Sequence, residues 1–95
     1  MGYEWDSGAL EWIARYGLEP GEVLQVLYAR KWPRVAVTAE GLRVLTLWGR
    51  TRAGKGIMVA VRPMPGYPFD AWIVNARPLN DAELTELTQW EESQS

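Results

Sequence analysis

The first third of the chain carries apolar residues at helical spacing. A helix from about Ser7 to Tyr16 is predicted because apolar side chains recur there at i, i+3 and i+4, at Leu10, Ile13 and Ala14. Asp6 or Ser7 is suited to cap this helix, since either side chain accepts a backbone N–H. Pro20 is a typical first helical residue and predicts a second helix that runs to about Arg30. A short strand, Gly2 to Trp5, precedes both helices.

Beyond Trp32-Pro33, which interrupts the helical pattern, the spacing of apolar residues changes to the period of a β-strand. The alternating segments are Val35 to Val37, Leu42 to Trp48, Ile57 to Arg62 and Ala71 to Ala76. Turns at residues 39–41 and 51–56 connect the first three segments, and a longer loop with prolines at 63, 65 and 68 precedes the last. Short connections between consecutive strands predict an antiparallel meander.

The last predicted element is an amphipathic helix that begins after Asn80. Asn80 and Glu83 form an N-x-x-E variant of the capping box, and apolar residues follow at helical spacing. Residues 92–95 are expected to be frayed. The element order is therefore β-α-α-β-β-β-β-α, which predicts an α+β fold: a mostly antiparallel sheet with helices packed on it, in a single domain over residues 1–95.

Composition narrows the possible chemistry. Of the 95 residues, 47% are hydrophobic and 23% are charged, as in an ordinary globular domain. No apolar run approaches the ~20 residues that span a bilayer and no secretory leader opens the chain, so we expect a cytoplasmic protein without a membrane partner. The chain has no cysteine and no histidine. This excludes Ser-His-Asp and Cys-His nucleophiles and metal centres built on the usual ligands, and we expect neither a metal nor a cofactor.

Charge is segregated along the chain, although the formal net charge is only −2. Residues 1–29 carry one basic and five acidic side chains, residues 30–62 carry eight basic and one acidic, and residues 63–95 carry one basic and six acidic. The three segments therefore have net charges of −4, +7 and −5. A polyanion is an expected partner of the middle segment if the fold gathers its basic side chains on one face.

A resemblance to a known family rests on four segments and the acidic helix that closes the chain. The segments are GYEWD, WIARYGLEPGEVLQVL, LWGRTRAGKGIMVAVRP and IVNARPL. Their order and spacing resemble the BrnT-type toxins of bacterial toxin–antitoxin pairs, most closely the actinobacterial branch, from residue 3 to about residue 92. The matching positions are Trp5, Asp6, Gly17, Gly49, Arg50, Thr51, Gly54, Ala76, Arg77 and Glu83.

The resemblance implies a RelE-like fold and a small toxin that cleaves RNA and is silenced by an antitoxin of ribbon-helix-helix type. Two features differ from the family pattern: Tyr16 stands where the family often has a histidine, and the last helix, usually basic, is acidic here. These differences favour a second hypothesis, a non-catalytic interaction module on the same scaffold that pairs with a partner protein or forms a homodimer. A third hypothesis is binding of RNA or DNA without cleavage.

RNA cleavage requires no protein nucleophile, because the adjacent 2′-OH attacks its own phosphate. The protein must orient the strand, move protons and stabilise charge on the phosphorane, a task that suits the planar, permanently charged guanidinium of arginine. The candidate catalytic residues are Arg50, Arg62, Arg77 and Tyr16. Tyr67 or a lysine of lowered pKa is an alternative proton donor. For the arginines the alternative is a solvated basic face, and for Arg77 an ion pair with Glu83 or Asp70.

Further basic and aromatic residues are candidates for binding. The candidate RNA-binding residues are Arg34, Arg43, Arg52 and Lys55. The turn TRAGKG lacks the G-x-x-x-x-G-K-[ST] spacing of a P-loop and is predicted to be a plain hairpin turn. Three of the six tryptophans fall at expected core positions, namely Trp12, Trp48 and Trp72. Trp32 and Trp90 are less easily buried and are candidates for contact with a partner protein, with stacking on a nucleotide as the alternative.

Overall fold

The computed structural model describes residues 2–94 and contains the predicted elements in the predicted order. The strands are β1 (Gly2–Trp5), β2 (Lys31–Val37), β3 (Arg43–Arg50), β4 (Gly56–Met64) and β5 (Tyr67–Pro78); the helices are α1 (Ala9–Arg15), α2 (Pro20–Leu27) and α3 (Asp81–Ser93). One sheet contains all five strands in the order β1-β5-β4-β3-β2. Only β1, which lies parallel to β5, departs from antiparallel pairing. The fold is therefore α+β with a mostly antiparallel sheet.

The two faces of the sheet carry separate hydrophobic cores. The larger core lies under α1 and α2 and contains Ile13, Leu18, Val23, Val26, Leu27, Leu47, Ile57, Val59, Val61, Ile73 and Ala76. The smaller core lies under α3, where Trp48, Leu79 and Leu87 are buried and Trp32, Met58, Leu84 and Trp90 pack against them. Successive strand residues point to opposite faces, which explains how neighbours such as Leu47 and Trp48 enter different cores. We call the side of the sheet that carries Trp32, Trp48 and Met58 the α3 face.

The helices differ from their predicted bounds at the ends. Neither Asp6 nor Ser7 caps α1 with its side chain; the N-cap is Gly8, which has a φ of 82°. The second helix ends at Leu27 rather than at Arg30, because β2 already begins at Lys31. The capping box of Asn80 and Glu83 is confirmed, and α3 continues to Ser93, so the predicted fraying of residues 92 and 93 is wrong. Residue 95 lies outside the described residues. Among residues 2–94, no helix is long and apolar enough to cross a membrane.

Several prolines lie within strands. The helical pattern ends before Trp32-Pro33 as predicted, but β2 begins at Lys31 and so contains Pro33. It tolerates Pro33 because β2 is an edge strand, where a residue without an N–H is accepted. The predicted long loop after residue 62 is a tight turn, since β4 runs to Met64 and β5 begins at Tyr67. Gly66, with a φ of 80°, makes this turn possible, and register shifts in the β4–β5 pair accommodate the irregular backbone.

The tryptophans expected in the core have different environments. Trp48 is buried and Trp72 is half-buried, but Trp12 is 47% exposed, so its prediction as a core residue is wrong. Ile13 faces the core from α1, and the adjacent Trp12 is turned outward, where its ring lies 4.6 Å from the guanidinium carbon of Arg15. Of the apolar residues of α1, only Ala9 and Ile13 are buried, and Leu10, Trp12 and Ala14 lie at the surface.

Candidate functional site

The strand register gathers aromatic and basic residues on the α3 face. Trp32, Trp48, Met58 and Arg77 are successive partners across β2, β3, β4 and β5. Arg34 lies two positions along β2 from Trp32, and Arg50 lies two positions along β3 from Trp48, so both share this face. A basic and aromatic surface thus forms from three arginines that are far apart in the sequence.

Arg77 is held by a bidentate ion pair at the start of α3. Its two terminal nitrogens donate to the two carboxylate oxygens of Glu83, each over 2.8 Å. The hydrogen bonds from Arg77 hold the pKa of Glu83 below its ordinary value of 4.5, helped by the N–H of Asn80 and the charges of Arg77 and Arg34, while burial opposes them. The alternative of an ion pair between Arg77 and Glu83 is therefore confirmed.

Tyr16 and Arg77, two of the four candidate catalytic residues, belong to opposite faces of the sheet. Tyr16 ends α1, which packs on the larger core, and is 44% exposed; Arg77 lies on the α3 face. The pKa of Arg77 is raised, chiefly by its hydrogen bonds to Glu83 against the effect of burial, with smaller electrostatic contributions from Glu83 and Tyr16. A phenol can give or take a proton and a guanidinium can stabilise negative charge, which are two of the tasks that RNA cleavage requires.

Every nitrogen of the Arg50 guanidinium donates a hydrogen bond within the protein. Its Nε lies 3.0 Å from both carboxylate oxygens of Glu91, and its Nη2 donates to the hydroxyl of Thr88 over 2.9 Å. Its Nη1 donates to the carbonyl of Gly54 over 3.1 Å. Arg50 thereby joins β3, the β3–β4 turn and α3, and Glu91 occupies the position of an anion on its Nε side.

Arg34 lies against two tryptophan rings. Its guanidinium carbon is 4.5 Å from the ring centre of Trp32 and 4.6 Å from that of Trp48, the geometry of cation–π contacts. It also donates to Glu86 of α3 over 3.2 Å. The buried Thr46 supports this group, because its hydroxyl accepts from the indole N–H of Trp48 and donates to the carbonyl of Arg34.

The two tryptophans predicted to contact a partner, Trp32 and Trp90, contact each other within the chain. The rings of Trp32 and Trp90 are stacked, with 6° between their planes and 5.6 Å between their centres. Trp48 meets Trp32 edge to face at 5.7 Å, and Arg30 lies 5.0 Å from the ring centre of Trp90. In this arrangement Trp32 presents its face to α3 and not to solvent.

Arg62 shares the α3 face but lies at the other end of β4. Arg50 pairs with Gly56, and Arg62 lies six residues further along the same strand, about 20 Å away at ~3.3 Å per residue. Its guanidinium covers the ring of Trp72 at 4.8 Å and approaches Asp6 at 3.5 Å. Arg50 and Arg62 are therefore too far apart to bind the same phosphate.

The predicted RNA-binding residues do not form one surface. Arg43 alternates with Leu45 and Leu47, which places it on the face of α1 and α2, opposite Arg34. Arg52 and Lys55 lie in the β3–β4 turn, which is a plain hairpin turn as predicted. Of these four residues, only Arg34 lies on the α3 face.

Two open grooves border this region. One, of about 620 Å³, runs between α2 and the β3–β4 turn and is lined by Gln25, Tyr28, Arg50 and Arg52, among others. The other, of about 190 Å³, lies on the part of the α3 face that α3 leaves uncovered, between Ala36, Val44 and Arg77. The second groove is mostly apolar and continues the surface of Arg34 and Arg77, so it offers room for flat rings next to the arginines.

Sequence reasoning did not identify the groups of α3 that bind these arginines. They are Glu86, Thr88 and Glu91. The charge pattern could have identified them, because an acidic last helix can form ion pairs with the basic middle segment of the same chain as well as repel a polyanion.

Comparison with protein-family models, with curated proteins and with solved structures finds no significant match to this chain. The assignment of a function therefore depends on the chemistry of the α3 face.

Proposed function

We propose that this chain is the toxin component of a toxin–antitoxin pair, a metal-independent ribonuclease that binds single-stranded RNA on the α3 face. The observation that supports the proposal is that Arg34, Arg50 and Arg77 lie on the same side of the sheet as Trp32 and Trp48, with Arg34 against both rings. Aromatic rings stack on bases whatever their sequence, and arginine forks bind phosphate oxygens in pairs. The combination is typical of surfaces that bind single strands.

The residues have distinct roles in the proposed reaction. Arg77 stabilises the negative charge of the phosphorane formed when the 2′-oxygen, whose proton passes to solvent, attacks the adjacent phosphate. The bond from phosphorus to the 5′-oxygen then breaks to leave a 2′,3′-cyclic phosphate, and Tyr16, which contributes to the electrostatic environment of Arg77, gives a proton to the 5′-oxygen that leaves. Arg34 and Arg50 bind neighbouring phosphates, and Trp32 stacks on a base. Arg62 contacts a more distant part of the strand because of its separation along β4.

Expression in bacteria and assays of the purified protein test this function. The wild-type chain is expected to arrest growth and to cleave single-stranded RNA, and Arg77→Ala is expected to relieve both effects. Arg43→Ala is the matched control, since it removes one positive charge from the opposite face. Circular dichroism of both variants verifies that they are folded. Equal losses in the two variants would contradict a site on the α3 face, and normal growth with neither RNA binding nor cleavage would contradict the proposal.

A second candidate function, a non-catalytic interaction module, is favoured by exposed apolar side chains at the hairpin ends of the sheet. Phe69 is 75% exposed, Val37 68% and Leu42 65%. Exposed apolar side chains that form one patch are typical of contact surfaces between proteins. Light scattering tests this candidate: it predicts a homodimer or a complex with an antitoxin, and replacement of Phe69 and Val37 by serine should weaken either one. A strictly monomeric protein without a partner would contradict it.

A further inference from the structure

We propose that α3 occupies the RNA-binding site on the α3 face as an internal competitor, so that RNA binds by displacing it. This inference rests on the proposed function and adds its regulation. Four side chains of this surface already bind groups of α3 that have similar chemistry to RNA; they are Arg34, Arg50, Arg77 and Trp32. The helix thus occupies the positions that the phosphates and a base of a single strand would take.

The aromatic contact is the first point of similarity. Trp90 lies parallel to Trp32 with 5.6 Å between ring centres, which is the position a base takes when it stacks on a tryptophan. Arg30 contacts the ring of Trp90 and also donates to the backbone carbonyl of Glu91 over 3.3 Å. The outer ring of the stack belongs to α3, and it is the ring that a base would replace.

The carboxylates are the second point of similarity. Three of them bind the three arginines, in the pairs Arg77–Glu83, Arg34–Glu86 and Arg50–Glu91. These acidic residues span eight positions of one helix, about 12 Å at ~1.5 Å per residue. An extended row of negative charges therefore lies along a row of guanidinium groups, as the phosphates of a strand would.

The helix can leave the sheet without disrupting the main core. No residue of α3 belongs to the larger core, which lies on the other face. Leu87 is the one residue of α3 that is buried. In the ion pairs of Arg34 and Arg50 the arginine side chains are 36% and 32% exposed, so each pair contributes little to stability. The N–H of Leu79 donates to the carbonyl of Gly56 just before α3 and anchors the chain there. Asn80, which follows this anchor, is the expected hinge.

Competition by α3 changes how RNA binding depends on salt. RNA that replaces Glu86 and Glu91 must first break the ion pairs of Arg34 and Arg50. Added salt screens these two ion pairs as well as the contacts between arginine and phosphate, so it weakens the competitor together with RNA binding. Removing the two carboxylates should therefore strengthen binding and make the slope of log affinity against log salt steeper. A change that only loosened the fold would not steepen it.

The test compares two charge-matched variants. Glu86→Gln/Glu91→Gln removes two carboxylates that bind the sheet, and Glu11→Gln/Glu40→Gln removes two that lie elsewhere. Binding of a short fluorescent 2′-O-methyl RNA, which lacks the attacking hydroxyl and cannot be cleaved, is measured over a range of salt concentrations. The first variant is expected to bind about three- to tenfold more tightly than the wild type, with the steeper slope, and the second is expected to bind like the wild type.

An engineered disulfide supplies an independent test. A Cβ built on Gly56 would overlap the side chain of Leu84, so the Gly56→Cys/Leu84→Cys variant places two thiols where α3 meets the sheet. The chain has no other cysteine, so no other bridge can form within it. The oxidised protein is expected to lose RNA binding, and reduction is expected to restore it.

The outcomes separate the inference from the proposed function. If every form binds the RNA with equal affinity, including the oxidised disulfide variant, RNA binds elsewhere or beside α3 and the inference is overturned while RNA binding stands. If neither the wild type nor the Glu86→Gln/Glu91→Gln variant binds RNA, the proposed function itself fails. Tighter binding by the first variant together with loss of binding on oxidation supports both.

Discussion

The indole ring of Trp90 in α3 lies flat on the indole ring of Trp32 in β2, with 6° between the two planes. This contact holds the C-terminal part of a helix whose other contacts with the sheet are ion pairs and the apolar packing of Leu84 and Leu87. It also joins the last element of the chain to the edge strand β2. The stability of α3 on the sheet therefore depends on an aromatic pair as well as on charge.

Replacement of Trp90 by alanine should lower the free energy of unfolding by about 2 kcal/mol, since it removes a half-buried ring and its stacking partner. Trp12→Ala is the matched control. Trp12 is 47% exposed, and its loss should cost less than about 1 kcal/mol. Urea unfolding followed by circular dichroism measures both values. Equal losses in the two variants would show that the stack does not stabilise the fold.

The stability of the protein should fall on acidification because of Glu83. Its pKa in the folded protein is lowered, so the stabilisation is complete above its ordinary value of 4.5 and is lost as the pH falls through the lower folded value. Glu83→Gln removes this charge and preserves an acceptor for the capping box. Urea unfolding at a series of pH values below 5 should therefore show a smaller dependence on pH in the variant. Parallel profiles would contradict the assignment.

Two ion pairs of the α3 face should differ in strength. The Arg77–Glu83 pair is bidentate at 2.8 Å, and the carboxylate side chain is only 15% exposed. The Arg62–Asp6 pair is 3.5 Å long, with the arginine 57% exposed. Double-mutant cycles with alanine should give a coupling energy of about 1 kcal/mol or more for the first pair and nearly none for the second. A larger coupling for Arg62–Asp6 would contradict this order.

Substitution of two glycines by alanine should have opposite effects. At Gly56 a Cβ would overlap Leu84 of α3, so Gly56→Ala should push the helix outward and destabilise the protein by about 1 kcal/mol. At Gly21, in the first turn of α2, a Cβ meets no atom within 4 Å. Gly21→Ala should stabilise the protein by about 0.5 kcal/mol, because it restricts the unfolded chain. Thermal unfolding compares the two, and a stabilising Gly56→Ala would contradict the close packing of α3.

The spacing of apolar residues along the chain predicted most of the helices and strands. Where each element begins and ends depended on contacts between residues far apart in the sequence. The alternation from residue 42 to residue 62 predicted β3 and β4, because a half-buried strand imposes a period of two on its own residues. The parallel pairing of β1 with β5 left no such signal, since the two strands are more than sixty residues apart in the chain. The sequence pattern begins a strand after Pro33 and places Pro63 in a loop, whereas both residues lie within strands. Their tolerance depends on the edge position of β2 and on the irregular β4–β5 pairing, which the local pattern does not contain.

For the candidate site, the sequence indicated which segment is basic and rich in tryptophan. It did not indicate which acidic residues of α3 form ion pairs with the arginines of that segment. The basic middle segment and its tryptophans are evident from composition alone. Whether Arg50, Arg62 and Arg77 converge depends on strand register, which separates Arg62 from the others. Register depends on pairing between distant segments, so counting along the chain could not supply it.

The sequence by itself determined an α+β domain with a basic middle between two acidic ends, because periodicity and charge are properties of consecutive residues. Only the tertiary structure decided that the acidic end folds back on the basic middle, with Glu83 on Arg77 and Glu91 on Arg50. The physical reason is that an ion pair depends on distance in space. The docking of α3 on the sheet brings together charges that the chain holds some six to forty positions apart.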